Sequence, residues 1–203
     1  MASTKISSTS ARDRILHAAE RIILARGYPG TTVDEICDAA DVSKGSFYHH
    51  FDSKEAMGLA VLEAYYARGI ARLMQGPFMA ETDPVRRCLG LLDHAESIGE
   101  EVWADGCILG TYAVDLAEAN PRIHRAVSKR LTGLVDALTP LFRDALAKAP
   151  GRGKRAIRPQ ELAEQFLAAV EGSIVLSKAH GDVSRITHGI RTLRVMLEGY
   201  LTR

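Results

Sequence analysis

Residues 42–51, VSKGSFYHHF, bring a lysine, small hydroxyl residues, aromatic rings and two adjacent histidines into ten positions. Histidine is a frequent metal ligand, but neighbouring helical positions point about 100° apart. His49 and His50 therefore do not readily share one ion, and no His or Cys follows either of them four residues later. We predict no metal site here. The segment is interpreted instead as a short helix that lies against a partner.

The three cysteines, Cys37, Cys88 and Cys107, match neither a zinc nor a disulfide spacing, so reduced thiols are expected. Cys107 follows Asp-Gly and could stand at a helix N-terminus, where the helix dipole lowers the pKa of a thiol. Lys178 is a candidate neighbouring charge that would favour the thiolate. One hypothesis is therefore a thiol that senses electrophiles, and the alternative is an inert buried cysteine.

An enzyme that uses Cys107 with a histidine was also considered. No local pattern combines a base, an orienting group and oxyanion donors, so we predict that the chain is not an enzyme and needs no cofactor.

Composition is that of a globular protein: 203 residues, 46% hydrophobic, with a formal net charge of +1. This balance excludes a strongly polybasic protein and names no partner. The first ten residues, MASTKISSTS, lack the apolar core of a signal peptide, and no apolar run approaches the ~18 residues of a membrane span. We expect a cytoplasmic protein without a membrane partner.

Capping residues divide the chain into helices. Ser10 is placed to cap a first helix, and TVDE, residues 32–35, is the sequence of a capping box. Ser43 can cap the next short helix after a tight turn at residues 40–42. Two short helices joined by three to four residues form a helix-turn-helix, the arrangement that places its second helix in the DNA major groove.

Longer helices are predicted beyond this point, and strand-like alternation is not evident. A capping serine, Ser53, and two Xaa-Pro pairs mark where they begin. Further helices are expected near residues 105–119, 122–147, 160–180 and 184–202. The fold class predicted from the pattern is all-α.

The order of residues 14–57 carries a resemblance: RILHAAERIILARGYPGTTVDEICDAADVSKGSFYHHFDSKEAM resembles the DNA-binding domain of the TetR (tetracycline repressor) family. A later segment, DGCILGTYAVDLAEANP, is similar to one found in many members. The resemblance implies an N-terminal three-helix helix-turn-helix domain and a larger C-terminal helical domain for ligand binding and dimerisation. We accordingly divide the chain into a flexible tail (1–10), a DNA-binding domain (11–55) and an effector domain (56–203). Asp41 departs from the glycine that is common in the turn, but Asp tolerates left-handed geometry.

The second helix of the motif, which Ser43 caps, is the recognition helix. Small residues in its first turn allow close approach to DNA, and its polar side chains can reach base edges or phosphates. Residue type and resemblance together assign DNA contact to Thr32, Ser43, Lys44, Gly45, Ser46, Tyr48, His49 and Lys54. Thr32 and Lys54 are expected to contact phosphates, and the alternatives are a simple cap and a surface lysine. Phe47 and Phe51 are expected to face inward and anchor the helix.

Charge argues against strong DNA binding by one copy, since residues 1–55 hold seven Lys/Arg and eight Asp/Glu. The acids cluster before the recognition helix rather than on it. We therefore expect binding mainly as a dimer, with few phosphate contacts per subunit.

In the TetR family the larger domain encloses a small-molecule pocket, and filling it releases the operator. Candidate lining residues, each with core packing as the alternative, are Met74, Trp103, Cys107, Tyr112, Phe142 and Phe166. The resemblance also implies a four-helix interface between subunits, for which the candidates are Phe166, Val170, Ile174, Ile190, Leu193 and Leu197. The same apolar stripes could instead complete the monomer core.

The function implied by the resemblance is a homodimeric, ligand-responsive repressor that binds double-stranded DNA at a palindromic operator. Its small-molecule effector is expected to be hydrophobic or mildly polar, or an electrophile sensed at Cys107. An architectural DNA-binding protein without an effector is the second alternative, although a domain of about 150 residues exceeds what DNA binding alone requires.

Overall fold

The computed structural model describes residues 10–148 and 157–202, and every regular element in those ranges is helical. The helices are α1 (Ala11–Arg26), α2 (Val33–Ala40), α3 (Lys44–His50), α4 (Lys54–Met74), α5 (Pro84–Trp103), α6 (Ile108–Asp115), α7 (Pro121–Lys148), α8 (Pro159–His180) and α9 (Ser184–Leu201), with a 3-10 turn at Pro77–Ala80. The all-α prediction is confirmed. Residues 1–9 of the predicted tail lie outside the described residues.

The predicted caps form where the sequence places them. The Ser10 hydroxyl accepts from the Asp13 N–H, and the Ser43 hydroxyl accepts from the Ser46 N–H at 3.1 Å. Thr32 and Glu35 form a complete capping box at the start of α2. Each side chain satisfies a backbone N–H that a helix terminus leaves without an intrahelical partner, so the boundaries are set locally.

The turn between α2 and α3 is held from both sides. Asp41 adopts the left-handed conformation, φ 52° and ψ 56°, as expected for an Asp in place of glycine. From α1, the Arg14 guanidinium donates to the carbonyl oxygens of Ala40 at 3.0 Å and Asp41 at 3.3 Å. The turn therefore keeps its geometry without a glycine.

Aromatic side chains anchor α3 to the rest of the N-terminal domain. Phe47 and Phe51 are buried, with their ring centroids 5.7 Å apart, in a core that includes Ile15 and Ile36. The predicted inward orientation is confirmed. A helix of seven residues is not stable alone in water, so this packing fixes its position.

The larger domain is built around α5, α7, α8 and α9, which pack on one another. A short turn through Gly181 in the left-handed conformation joins α8 to α9. The two helices approach closely at Gly189, where an added Cβ would lie 1.8 Å from the Ser173 hydroxyl. Their facing surfaces therefore belong to the core of a single subunit.

The predicted helix near 105–119 is shorter in the structure. Gly106 has φ 119°, a backbone that precedes the start of α6 at Ile108. At the other end Leu116, with φ −123° and ψ 7°, leaves the helical region. The sequence has apolar residues on both sides of these points, which is why pattern alone overestimated the length.

Two hydrogen bonds connect the end of α1 to the larger domain. The Tyr28 N–H donates to Asp115 Oδ2 at 3.0 Å, and the Lys178 ammonium donates to the Leu24 carbonyl at 2.8 Å. Through these contacts α6 and α8 both touch the helix that supports the helix-turn-helix. That helix, α1, in turn packs against α2 and α3.

Candidate DNA-binding surface and effector cavity

The outer face of α3 carries most of the predicted DNA contacts. Ser43, Lys44, Gly45 and His49 are exposed, and Tyr48 is 53% exposed although it is a large aromatic residue. Ser46 is half-buried, and its N–H donates to the Ser43 hydroxyl. An exposed aromatic and a cation beside a rigidly anchored helix are suited to base edges and phosphates. Contact with DNA remains a prediction for each of them.

Lys44 is paired within the domain. Its ammonium lies 2.7 Å from Asp34 Oδ1 of α2, and both side chains are 62% exposed. The hydrogen bond to Asp34 raises the pKa of Lys44, so the side chain is a cation. A DNA phosphate or guanine therefore has to compete with Asp34 for this group.

The two predicted phosphate contacts are engaged in internal bonds. The N–H and hydroxyl of Thr32 both donate to Glu35 Oε2 at 3.0 Å, and this lowers the pKa of Glu35. The Lys54 ammonium donates to the Tyr28 carbonyl at 2.7 Å and lies 4.4 Å from the centroid of the Tyr28 ring. Burial lowers the pKa of Lys54. Lys54 thus ties the start of α4 to the α1–α2 turn, a role that sequence reasoning did not assign to it.

A cavity of about 60 Å³ lies in the larger domain. Its lining is almost entirely apolar and aromatic, and comes from α4, α7 and α8 together with the last residue of α5, Cys107 and the first turn of α6. Three of the six predicted lining residues are there: Trp103, Cys107 and Phe166. This lining is of the kind that small-molecule sites have, but such sites usually measure roughly 300–1,000 Å³. A ligand would therefore have to widen the cavity or extend into the neighbouring surface grooves.

The other three predicted lining residues lie away from this cavity. Tyr112 is fully buried in the core, where its hydroxyl donates to the Gly58 carbonyl at 3.2 Å. Phe142 is buried in the core on α7, and Met74 is half-buried at the end of α4. Aromatic and sulfur side chains serve core packing more often than ligand binding, and these three do so here.

Two tyrosines and a glutamate of the cavity were not predicted. Tyr65 and Tyr66 project from α4, and Glu171 comes from α8. The signal for Glu171 was present, since it is the only charged residue between Glu164 and Lys178. An isolated charge within an apolar helix is a marker of function or of a specific partner.

Both parts of the chain match models of known protein families. Residues 15–61 match the family model of bacterial regulatory proteins of the tetR family, and residues 84–193 match that of a tetracyclin repressor-like C-terminal domain. The second match alone covers more than half of the chain. The chain belongs to the TetR family. Like its relatives, it is a transcriptional regulator rather than an enzyme.

Several relatives of this TetR-family regulator match along most of its length. The HTH-type transcriptional repressor DhaR of Mycobacterium sp. is 30% identical over 178 residues, which cover 85% of each chain. The transcriptional regulator AcuR of Cereibacter sphaeroides is 31% identical over 170 residues, covering 83% of this chain and 76% of AcuR. The crystal structure of a regulatory protein TetR from Rhodobacter sphaeroides superposes with a TM-score of 0.76 at 28% identity, covering 91% and 97% of the two chains. The family resemblance and the two-part helical fold are confirmed.

For Cys107 of this TetR-family chain, the structure favours the inert buried cysteine over the activated thiol. Although it stands at the N-cap of α6, burial and the neighbouring Glu171 carboxylate raise its pKa above the ordinary range of a thiol. Lys178, the expected neighbouring charge, donates its ammonium to the Leu24 carbonyl and is not among the groups that shift the pKa of Cys107. The dipole of one short helix is outweighed by removal from water and by a negative neighbour.

The predicted interface residues lie mostly inside the subunit. Phe166, Val170, Ile174, Ile190 and Leu197 are all buried there, and Leu193 is half-buried against the same core. Side chains covered within one chain leave little area for contact with another, which favours the alternative that these stripes complete the monomer core. The position of a subunit interface stays a prediction.

The structure adds two further observations. Among residues 10–148 and 157–202, no group of three or more His, Cys, Asp or Glu side chains is arranged to hold a metal ion. The helices in the same ranges include none with the length and apolarity needed to cross a bilayer.

Proposed function

We propose that this TetR-family regulator is a homodimeric repressor that binds a palindromic operator through α3 and releases it when a small molecule enters the larger domain. The observation that carries the proposal is the α3 surface, where exposed Tyr48 and Lys44 stand on a helix anchored by buried Phe47 and Phe51. A single helix-turn-helix reads few base pairs, so two copies on an inverted repeat supply specificity.

Operator selection tests the DNA-binding half of the proposal. The purified protein is incubated with random duplexes at physiological salt, and the retained DNA is sequenced. An inverted repeat should be enriched, and Lys44→Ala and Tyr48→Ala should each lose it, whereas Lys129→Ala on the exposed surface of α7 should not. Failure of the folded protein to enrich any sequence contradicts the proposal.

The exposed sides of α8 and α9 are proposed as the dimer interface. Large apolar side chains lie there in water: Val175, Leu176, Val195, Met196 and Tyr200, with exposures from 38% to 69%. A contiguous apolar patch on a monomer marks an interaction surface, and a twofold axis lets one patch cover its own copy. This face replaces the buried one that the sequence pattern suggested.

Sedimentation velocity measures this interface directly. Met196 is 69% exposed, and Met196→Asp would place a charge in the apolar contact, so the dimer should dissociate at micromolar concentration. Met79→Asp is the matched control, since Met79 is 48% exposed but belongs to the 3-10 turn far along the chain. A wild-type protein that sediments as a monomer, or a Met196→Asp protein that remains a dimer, excludes this interface.

The proposed effector is a small molecule that binds reversibly and places its apolar part in the cavity. The lining supports this over an electrophile sensed at Cys107, because such a sensor needs a thiolate and the pKa of Cys107 is raised. A thermal-shift screen of a metabolite library separates an effector-responsive repressor from an architectural DNA-binding protein. The architectural protein would show no saturable ligand.

A further inference from the structure

Glu171 occupies an unusual position at the edge of the apolar cavity. Its half-buried carboxylate lines the cavity between Leu167, Val170 and Phe166 on one side and Cys107 on the other. The side chain reaches this place because residue 110 is glycine, where an added Cβ would lie within 2.2 Å of Glu171 Oε2. The local sequence therefore makes room for a carboxylate against α6.

No cation of the described residues forms an ion pair with Glu171. The Cys107 thiol is hydrogen-bonded to it, but a thiol is a weak donor and carries no charge. Lys178, two turns further along α8, directs its ammonium to the Leu24 carbonyl instead. Burial raises the pKa of Glu171 by more than the hydrogen bond from Cys107 lowers it, in agreement with the absence of a paired cation.

Glu171 also stands where the cavity meets the outside. Together with Leu131 it lines the cavity and two surface grooves, of about 480 Å³ between α6, α7 and α8 and about 650 Å³ between α1, α6 and α8. The cavity of about 60 Å³ holds little more than two water molecules, at ~30 Å³ each. A larger molecule that extends from the cavity into either groove passes Leu131 and Glu171, which border all three spaces, so its polar group can meet the carboxylate.

We propose that the effector is an amphiphilic amine whose ammonium group binds Glu171 while its apolar body enters the aromatic cavity. The inference rests on the proposed effector-responsive function. An ammonium supplies the charge and the strong hydrogen-bond donors that the carboxylate lacks, and the rings of Tyr65, Tyr66 and Trp103 provide surfaces that attract a cation as well as an alkyl or aryl body. An anionic effector would be repelled by the same carboxylate. The sequence-based expectation of an uncharged effector is revised accordingly.

Three probes of nearly equal size test the charge preference: 2-phenylethylamine, a cation at pH 7.5; 2-phenylethanol, its neutral isostere; and phenylacetate, an anion. Each is titrated into the full-length protein by isothermal calorimetry. The amine should bind at least about tenfold more tightly than the alcohol, the factor expected of one charge-assisted hydrogen bond, and phenylacetate most weakly. Equal affinities, tighter binding of the anion, or no binding by the amine overturns the proposal.

Glu171→Gln keeps the shape of the side chain and removes its charge. It should reduce the affinity of the amine to that of the alcohol and leave the alcohol unchanged. Glu164→Gln is the matched control. Glu164 lies two turns earlier on α8 and lines the groove of about 480 Å³, but it does not line the cavity. Retention of the amine preference in Glu171→Gln would overturn the assignment even if the amine binds.

A parallel fluorescence-anisotropy titration on the selected operator separates the two proposals. If the protein binds its operator but the amine does not bind the protein, only the effector class is wrong. If no operator is selected, the repressor function fails whatever the calorimetry shows.

Discussion

Gly27 offers a direct test of how the two parts of the regulator are joined. Its backbone, φ 79° and ψ 162°, lies in a region that is nearly restricted to glycine. The following residue, Tyr28, donates its N–H to Asp115 Oδ2, and an added Cβ on Gly27 would lie 2.7 Å from the same oxygen. Gly27→Ala should therefore strain the backbone and push Asp115 away from Tyr28.

The backbone contribution alone is about 1–3 kcal/mol. For a chain of this size 1 kcal/mol corresponds to roughly 2–4 °C in Tm, so Gly27→Ala should lower Tm by about 2–12 °C. Differential scanning calorimetry at one fixed protein concentration is the appropriate assay, because the proposed dimerisation would make Tm depend on concentration.

A double-mutant cycle separates strain from contact. Asp115→Ala removes the acceptor and also the group that the new methyl would meet, so Gly27→Ala should cost less in that background. Gly69→Ala, inside α4 with nothing within 4 Å of the added Cβ, is the control in the ligand-free protein and should stabilise by about 0.5–1 kcal/mol. A Gly27→Ala protein whose Tm equals or exceeds that of the wild type would refute the role given to this junction.

Two further predictions concern groups already described. Asp34→Asn frees the Lys44 ammonium and should strengthen binding to the operator and to random duplex alike. Fluorescence anisotropy at two salt concentrations measures both affinities. Unchanged affinity would mean that Lys44 does not reach DNA. Because the pKa of Cys107 is raised in the folded protein, N-ethylmaleimide should label the native thiol far more slowly than the same thiol in the urea-unfolded protein. This difference in labelling rate should hold up to about pH 8.5, the pKa of an ordinary thiol. If mass spectrometry detects rapid labelling of the native protein, the electrophile hypothesis is restored.

The features that sequence predicted best are those fixed by neighbours along the chain. Ser10, Thr32, Ser43 and Ser53 all cap the helices that they were expected to cap, because a cap needs only its own side chain and a backbone N–H within the first turn. Asp41 belongs to the same class, since the left-handed conformation is a property of one residue. The helix-turn-helix could therefore be placed almost residue by residue.

The cavity could be predicted only in part, because its walls come from segments far apart in sequence. Trp103 and Phe166 were found by residue type, but the same criterion selected Tyr112 and Phe142, which pack in the core. What distinguishes the two pairs is which helices meet at each point, and periodicity within one helix carries no such information. Glu171 could have been found by its isolation, had charge been weighed as well as apolarity.

The interface residues predicted from the sequence differ from the exposed apolar residues of the structure for a physical reason. Residues 165–177 of α8 contain only one charged residue, so this helix has apolar side chains on nearly every side and its pattern does not say which side faces inward. The structure uses Val170 and Ile174 within the subunit and leaves Val175 and Leu176 in water. A helix that is apolar all round is stable in water only when it is covered all round. Since one subunit covers only half of α8, the exposed half is the surface that we expect a second copy to bury.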